Sequence, residues 1–138
     1  MSLDIKKYKK IYMVGIGGIS MSGIALILKR WNYEVSGSDG VSSHQTEWLI
    51  NNGIHVNIGQ ISENITNDID LVVYTAAVKL DNPELVKAKK LDIPIVERGE
   101  FLGEITKLFK DTIGVAGTHG KTSTTSMVTC SFIEAGLD

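Results

Sequence analysis

The fold class can be inferred from residues 11–20, Ile11-Tyr12-Met13-Val14-Gly15-Ile16-Gly17-Gly18-Ile19-Ser20. A short apolar run ends in glycines, and the residues that follow, through Leu26 and Arg30, have their apolar and small side chains at helical spacing. An apolar run, a glycine turn and a 3.6-residue period together predict a strand, a tight turn and a helix.

The residues after this unit repeat the alternation. Apolar or alternating runs predict strands at 33–39, 54–58, 69–75 and 93–96, and helical patterns predict helices at 46–52, 83–90 and 100–109. Pro94 cannot donate to a ladder, so the fifth strand is expected near an edge of the sheet. Short connections between alternating strands and helices predict an α/β, Rossmann-like parallel sheet with helices on both faces.

A second unit begins near residue 111. Residues 112–116 read as a strand, Gly117-Thr118-His119-Gly120-Lys121-Thr122 as a glycine loop, and the following residues as a helix towards Glu134. One strand and one helix do not make a domain. The sequence therefore predicts a complete domain over residues 1–110 and the truncated opening of a second over residues 111–138.

Composition narrows the function classes. The 138 residues carry a formal net charge of −2, which offers no global attraction to nucleic acid or an anionic membrane. The longest apolar stretch, 24–28, is far shorter than a membrane span and no secretory leader is recognised, so a cytoplasmic protein is expected. Cys130 is the only cysteine, which excludes an internal disulfide, and its apolar helical position predicts a packing role.

The first glycine loop has the residue types that bind a pyrophosphate. Gly15 would permit the tight turn and Gly17 the close approach of backbone to phosphate, while Ser20 stands where a third glycine is usual. Gly18 and the following helix amides would face the anion. Asp39 ends the second strand, where an acid can bind a ribose hydroxyl, although Ser38-Asp39-Gly40 is also an ordinary turn sequence. A tight turn without a ligand is the alternative for the loop.

The second glycine loop has the residue types that hold a nucleoside triphosphate. Backbone amides would cradle phosphate, the Lys121 ammonium would reach the outer phosphates, and the Thr122 hydroxyl could bind Mg²⁺. The spacing is a shortened form of the usual motif, because the residue five before Gly120 is Val115. His119 could contact phosphate or base, or only keep the turn polar.

Taken together, these segments resemble the Mur ligase family over essentially the whole chain. The match is closest to the branch that joins L-alanine to UDP-N-acetylmuramic acid. The resemblance is carried by residues 15–25, by Val35-Ser36-Gly37-Ser38-Asp39, by Thr75-Ala76-Ala77-Val78 with Asn82-Pro83-Glu84, by Arg98-Gly99-Glu100-Phe101-Leu102, and by residues 116–122. Ser20, Gly99, Phe101 and Ser123 depart mildly from the family pattern.

The resemblance implies that residues 1–110 bind the UDP part of the substrate and that 111–138 open a central ATPase domain. It implies that ATP and Mg²⁺ are required and that a carboxylate is activated as an acyl phosphate before L-alanine attacks it. The implied substrate contacts are Gly15, Ile16, Gly17, Gly18, Ile19, Ser20, Ser38, Asp39, Thr75, Ala76 and Ala77. The implied ATP contacts are Gly117, Thr118, His119, Gly120, Lys121, Thr122 and Ser123, with Lys121 and Thr122 as catalytic residues and Thr122 as a metal ligand.

Three alternatives stay open at this point. A sibling ligase that attaches a recovered peptide to the same UDP-sugar shares both loops. The first domain could instead be an NAD(P)-binding oxidoreductase or redox-sensing module, or the chain a nucleotide-binding regulator. An oligomer of identical chains is also left open. Residues 1–138 alone are expected to have no ligase activity.

Overall fold

The computed structural model describes residues 3–137, which divide into one compact unit ending at Leu108 and another beginning at Phe109. The first unit is a five-stranded parallel sheet, as predicted. Its strands are β1 (Lys10–Val14), β2 (Glu34–Asp39), β3 (His55–Ile58), β4 (Leu71–Tyr74) and β5 (Ile95–Glu97). The spatial order is β3-β2-β1-β4-β5, so the strand that opens the first glycine loop is central.

The helices alternate with the strands. They are α1 (Ile19–Arg30), α2 (His44–Asn51), α3 (Pro83–Lys90) and α4 (Arg98–Thr106), with single 3-10 turns at Ile5–Lys7 and Ser62–Asn64. The helix predicted at 83–90 is confirmed, with Asn82 as its N-cap and Pro83 at its first position. α4 begins earlier than predicted and ends at Thr106, and α2 begins two residues early because Ser43 forms a capping box with Thr46.

Each face of the sheet carries its own apolar layer. Successive residues of β1 point to opposite faces, so Met13 packs with α1, α2 and α4, while Tyr12 packs with α3. Leu28 of α1 and Phe101 of α4 are fully buried in the first layer. Burying each stabilises the fold by roughly 1.5–3 kcal/mol relative to exposure. The prediction of helices on both faces is therefore confirmed.

β5 is an edge strand that pairs only with β4, as Pro94 predicted. The Pro94 carbonyl still accepts from the Val72 amide at 2.9 Å, because a proline loses only its donor. Gly37 in β2 has a role that the sequence did not reveal. A Cβ there would lie 2.3 Å from the Met13 carbonyl oxygen and 2.8 Å from the Ile16 side chain. Only glycine therefore fits where β2 packs against β1 and the loop that follows it.

The second unit contains α5 (Lys121–Glu134), as predicted. The strand predicted over residues 112–116 is wrong: these residues form no strand. A strand needs a neighbour for its amides and carbonyls, and the described residues of this unit provide no second strand. α5 has no buried residue, and Cys130, predicted to pack, is exposed for the same lack of neighbours.

Within residues 3–137 we find no helix of the length and apolarity that crossing a membrane requires.

Candidate functional site

The first glycine loop lies at the point where the strand order reverses. The chain runs outward from β1 through β2 to β3, then returns to place β4 on the other side of β1. In parallel sheets of this kind the crevice at the carboxyl ends of the two central strands is the usual ligand site. Gly15 directly follows β1 and Thr75 directly follows β4, so both lie at this crevice.

Gly15 is required by both conformation and space. Its φ of +81° lies in the left-handed region, and an added Cβ would lie 2.6 Å from the Thr75 Cγ2 methyl. Thr75 cannot turn away freely, because its Oγ1 accepts from the Ala77 amide at 3.0 Å. Ala76 and Ala77 are exposed beyond this turn. The close contact therefore joins the ends of β1 and β4.

Gly17 approaches the end of β2. Its amide donates to Asp39 Oδ2 at 2.9 Å, and a Cβ would lie 2.8 Å from the same oxygen. Among residues 3–137, the one hydrogen bond to Asp39 Oδ1 is a long one of 3.4 Å from the Val41 amide. The structure thus gives Asp39 one oxygen that braces the loop and one that remains weakly engaged, while ribose binding stays a prediction.

Ser38 and Ile16 lie beneath the loop. Both are fully buried, and the Ser38 carbonyl oxygen accepts from the amides of Gly15 and Ile16 at 2.8 and 2.9 Å. The Ser38 hydroxyl donates to Glu84 at 2.6 Å. Among the predicted substrate contacts these two therefore support the loop rather than present side chains to the crevice.

The N-terminus of α1 is open. Its N-cap, Gly18, offers no side-chain acceptor and the first turn holds no acid, whereas α2 and α3 are capped by Ser43 and Asn82. Within residues 3–137, the amides of Ile19, Ser20 and Met21 donate no hydrogen bond. Unpaired amides at the positive end of a helix dipole bind anions.

Ser20 is exposed in the first turn of α1. A third glycine at this position normally permits close packing of helix against strand, and the exposure explains why a side chain is tolerated. Its Oγ lies 3.4 Å from Nη1 of Arg98. Ile19 is 83% exposed beside it.

Arg98 is a candidate site residue that was not among the substrate contacts predicted from the sequence. It follows β5 directly and begins α4, so its guanidinium comes to the same edge of the sheet as the glycine loop. Among the described residues it forms no ion pair. A guanidinium beside an open helix N-terminus is complementary to a phosphate in shape and charge. The available signals were its position two residues after the strand predicted at 93–96 and its place in the segment 98–102 that carries the family resemblance.

A buried polar cluster lies behind the loop. Glu84 is fully buried and accepts from Tyr12 at 2.9 Å, from Ser38 at 2.6 Å and from Asn64 at 2.7 Å. Burial, with the nearby Glu84 charge, raises the pKa of Tyr12 far above its usual value, so its hydroxyl remains a donor at neutral pH. The sequence identified Glu84 only as an acid in the first turn of α3.

The second loop opens α5 in a similar way. Gly120, the N-cap, has φ +77° and offers no side-chain cap, and the first turn of α5 holds no acid. The Lys121 ammonium donates to the Gly117 carbonyl at 2.5 Å, folding over the loop. The polar members of this loop are all exposed: Thr118, His119, Thr122 and Ser123.

The fit of Mg²⁺ to this loop rests on one protein oxygen. The Thr122 hydroxyl lies in the first turn of α5, and within residues 3–137 no three His, Cys, Asp or Glu side chains gather into a metal site. Mg²⁺ commonly keeps waters and binds substrate phosphates as its remaining ligands. Thr122 therefore suits a metal shared with a triphosphate, and does not form a metal site alone.

The chain is similar in sequence to known proteins. Residues 10–110 match the family described as Mur ligase family, catalytic domain. A UDP-N-acetylmuramate–L-alanine ligase of Clostridium kluyveri is 59% identical over all 138 residues, which cover 30% of its length. The chain thus spans about a third or less of its curated relatives.

Two solved structures share the fold closely. A UDP-N-acetylmuramate-alanine ligase of Thermotoga maritima aligns with a TM-score of 0.85 and 39% identity, over 89% of this chain and 29% of that one. A UDP-N-acetylmuramate:L-alanyl-gamma-D-glutamyl-meso-diaminopimelate ligase of Neisseria meningitidis aligns with a TM-score of 0.86 and 32% identity, over 94% and 40%.

Proposed function

This chain belongs to the Mur ligase family, and we propose that it is the N-terminal part of an ATP-dependent ligase that joins L-alanine to UDP-N-acetylmuramic acid in peptidoglycan precursor synthesis. The observation that carries the proposal is the 59% identity over all 138 residues to a ligase of that name, because the match includes both glycine loops. Such an enzyme would work in the cytoplasm, where ATP and UDP-sugars are available.

The first loop would bind the diphosphate of the UDP-sugar. The free amides of Ile19, Ser20 and Met21 supply donors, and the Arg98 guanidinium supplies positive charge from α4. Each charge-assisted contact of this kind contributes roughly 1.5–3 kcal/mol. Gly18 has no side chain to block the approach.

The uridine and sugar would extend to either side of that diphosphate. Asp39, at the end of β2, would accept from a uridine ribose hydroxyl through its weakly engaged Oδ1. Thr75, Ala76 and Ala77, at the end of β4, would line the crevice towards the sugar. Ile16 and Ser38 would act only by supporting the loop from below.

The second loop would bind ATP. The Lys121 ammonium would leave the Gly117 carbonyl for the outer phosphates, and the amides at the start of α5 would hold phosphate oxygens. Thr122 would supply one oxygen ligand to Mg²⁺, which neutralises charge on the transferred phosphoryl group. Thr118, His119 and Ser123 would complete the polar rim of the loop.

The chemistry explains why this enzyme class needs a triphosphate. A carboxylate reacts poorly with amines until one of its oxygens becomes a good leaving group, and phosphorylation to an acyl phosphate achieves this. Attack by the L-alanine amine then forms the amide bond and releases phosphate. Lys121 would stabilise the negative charge that develops during phosphoryl transfer.

A sibling activity is the second candidate. The Neisseria meningitidis neighbour is named as the ligase of a tripeptide, whereas the Clostridium kluyveri and Thermotoga maritima proteins are named as alanine ligases. It shares the fold at 32% identity. The higher identity to the alanine ligases favours L-alanine. A substrate panel on the longer protein, comparing L-alanine with the tripeptide, would distinguish the two.

Calorimetric titration of residues 1–138 tests the binding part of the proposal. UDP-N-acetylmuramic acid should bind more tightly than UDP, while NADH should not compete with it. NADH binding without UDP-sugar binding would overturn the proposal in favour of a redox module. Residues 1–138 alone should release no ADP in the presence of alanine, and measurable release would contradict their assignment as a fragment of the enzyme.

A further inference from the structure

Glu84 is a fully buried acid with no place in the ligand contacts described above. Its two carboxylate oxygens are held from different elements: Oε1 accepts from Tyr12 of β1 and from Asn64, and Oε2 accepts from Ser38 of β2. Asn64 also donates to the Gly59 carbonyl at 2.9 Å. No described polar side-chain atom is left buried without a partner, so the cluster is satisfied.

Ser38 connects this cluster to the glycine loop through hydrogen bonds. The Ser38 hydroxyl donates to Glu84, while the carbonyl of the same residue accepts from Gly15 and Ile16. The next residue, Asp39, accepts from the Gly17 amide. Three successive loop amides are thus fixed by the end of β2, and that end is itself anchored to Glu84.

This anchoring decides which amides remain for a ligand. With the amides at 15, 16 and 17 held by β2, the donors that stay unpaired are those of Ile19, Ser20 and Met21. A shift of Ser38 would move its carbonyl and loosen the loop that aims them. Binding groups must be held within a fraction of an ångström by surrounding contacts to be effective.

We propose that Glu84 is a positioning residue for the diphosphate site, acting through Ser38 on the glycine loop. The proposal rests on the proposed function for its ligand, a UDP-sugar. Its alternative is that Glu84 only joins α3 to the sheet, in which case every hydrogen bond to its carboxylate should matter in the same way.

Two variants separate these possibilities. Ser38→Ala and Tyr12→Phe each delete one buried hydroxyl that donates to Glu84, and of these two residues only Ser38 also accepts from the loop amides through its carbonyl oxygen. Both should lower the melting temperature. Ser38→Ala should weaken UDP-N-acetylmuramic acid binding by roughly three- to tenfold, the size expected for one hydrogen bond, while Tyr12→Phe should change it less than twofold.

Amide hydrogen exchange provides a readout without ligand. Ser38→Ala should speed exchange at Gly15, Ile16 and Gly17 more than Tyr12→Phe does, and Glu84→Gln should resemble Ser38→Ala. Equal effects of the two hydroxyl deletions on both exchange and affinity would overturn the positioning role. If the unmodified chain binds no UDP-sugar, the proposed function fails, and exchange at these three amides still decides whether Glu84 fixes the loop.

Discussion

Gly15 and Gly120 have nearly the same left-handed backbone, with φ of +81° and +77°, yet their surroundings differ completely. An added Cβ at Gly15 would meet Thr75, whereas the described residues leave open space around Gly120. The first loop sits on five paired strands, and the second unit has one helix and no strand in its described part. Within residues 3–137, only the first of the two loops is supported by a sheet.

The loop sequence provides an open helix N-terminus, and the surrounding fold provides the contacts that hold the loop amides in place. Both loops present an uncapped helix N-terminus without acids, which depends on local residues alone. In the first loop, residues of β2 accept hydrogen bonds from the amides at 15, 16 and 17, and the amides at the start of α1 remain unpaired within the described part of the chain. In the first loop, the placement of the donors thus depends on contacts from the sheet as well as on the glycines.

Replacing the two glycines should produce the largest difference. Gly15→Ala should destabilise the sheet unit by about 2–4 kcal/mol, because left-handed strain adds to overpacking against Thr75. Gly120→Ala carries only the strain, about 1–2 kcal/mol, and acts on the second unit. Urea unfolding followed by the fluorescence of Trp31 and Trp48 reports on the sheet unit, since both precede Leu108. Gly120→Ala should therefore leave this signal unchanged, and a Gly15→Ala shift of only about 1–2 kcal/mol would show that backbone strain alone, without packing against Thr75, accounts for the effect.

Removal of a cation near the first loop should have the next largest effect. Arg98→Ala should weaken UDP-N-acetylmuramic acid binding by about ten- to a hundredfold, since a charged hydrogen bond contributes roughly 1.5–3 kcal/mol. Arg98→Lys should recover only part of this, because an ammonium lacks the planar fork. Calorimetry at two salt concentrations would measure both.

Lys107→Ala is the matched control for charge. It removes one cation from the other end of α4, where Lys107 pairs with Glu104 at 2.7 Å. Its effect on UDP-sugar affinity should be less than about twofold, since exposed pairs contribute little and the distance is large. If both variants weaken binding equally, the effect of Arg98 is general electrostatics and not a contact.

The parts of the fold that were predictable have local causes. Asn82 and Pro83 mark the start of α3 by capping and fixed φ, and Pro94 marks an edge strand by its missing donor. The strand expected at 112–116 fails because a strand depends on partners that its own residues do not specify. Glu84 could not be identified because its donors, Tyr12, Ser38 and Asn64, come from distant segments.

The candidate site divides in the same way. The glycines of the first loop and the open N-terminus of α1 follow from the sequence of residues 15–20, so their placement at the crevice was predictable. Ser38 has the right position along the chain for a ligand contact, but its burial under the loop depends on how α3 packs. Arg98 reaches the loop only because β5 and β1 lie in one sheet with their carboxyl ends at the same edge.

Capping the open N-terminus of α1 should stabilise the fold but weaken binding of the UDP-sugar. Gly18 has φ −62° and ψ 147°, which suits any residue, and an added Cβ would meet its nearest neighbour at 3.5 Å. Gly18→Asp should cap the free amides and stabilise the fold by a few tenths of a kcal/mol, while its charge repels diphosphate. Affinity should fall about tenfold. Ser43→Ala, which removes the cap of α2, should destabilise without changing affinity; a Gly18→Asp chain that still binds UDP-sugar normally would exclude these amides as the anion site.

The smallest effect should come from the opposite end of β1, where acid should loosen the sheet that the first loop depends on. Asp70 accepts from the Lys9 and Lys10 amides at 2.9 and 2.8 Å, and these bonds lower its pKa. A hydrogen bond from the Lys10 ammonium, with one from Thr66, lowers the pKa of Asp68 from 3.8 to about 2. Because both folded-state pKa values are depressed, the stabilisation is present above 3.8 and is lost as the pH falls through those depressed values, which for Asp68 is about 2. Asp70→Asn should reduce the acid sensitivity of the urea midpoint more than Asp68→Asn, since Asp70 holds backbone at the start of β1, whereas Asp68 is itself exposed and its ion pair with Lys10 is screened by solvent. An acid dependence that neither variant alters would place the labile contacts elsewhere in the sheet unit.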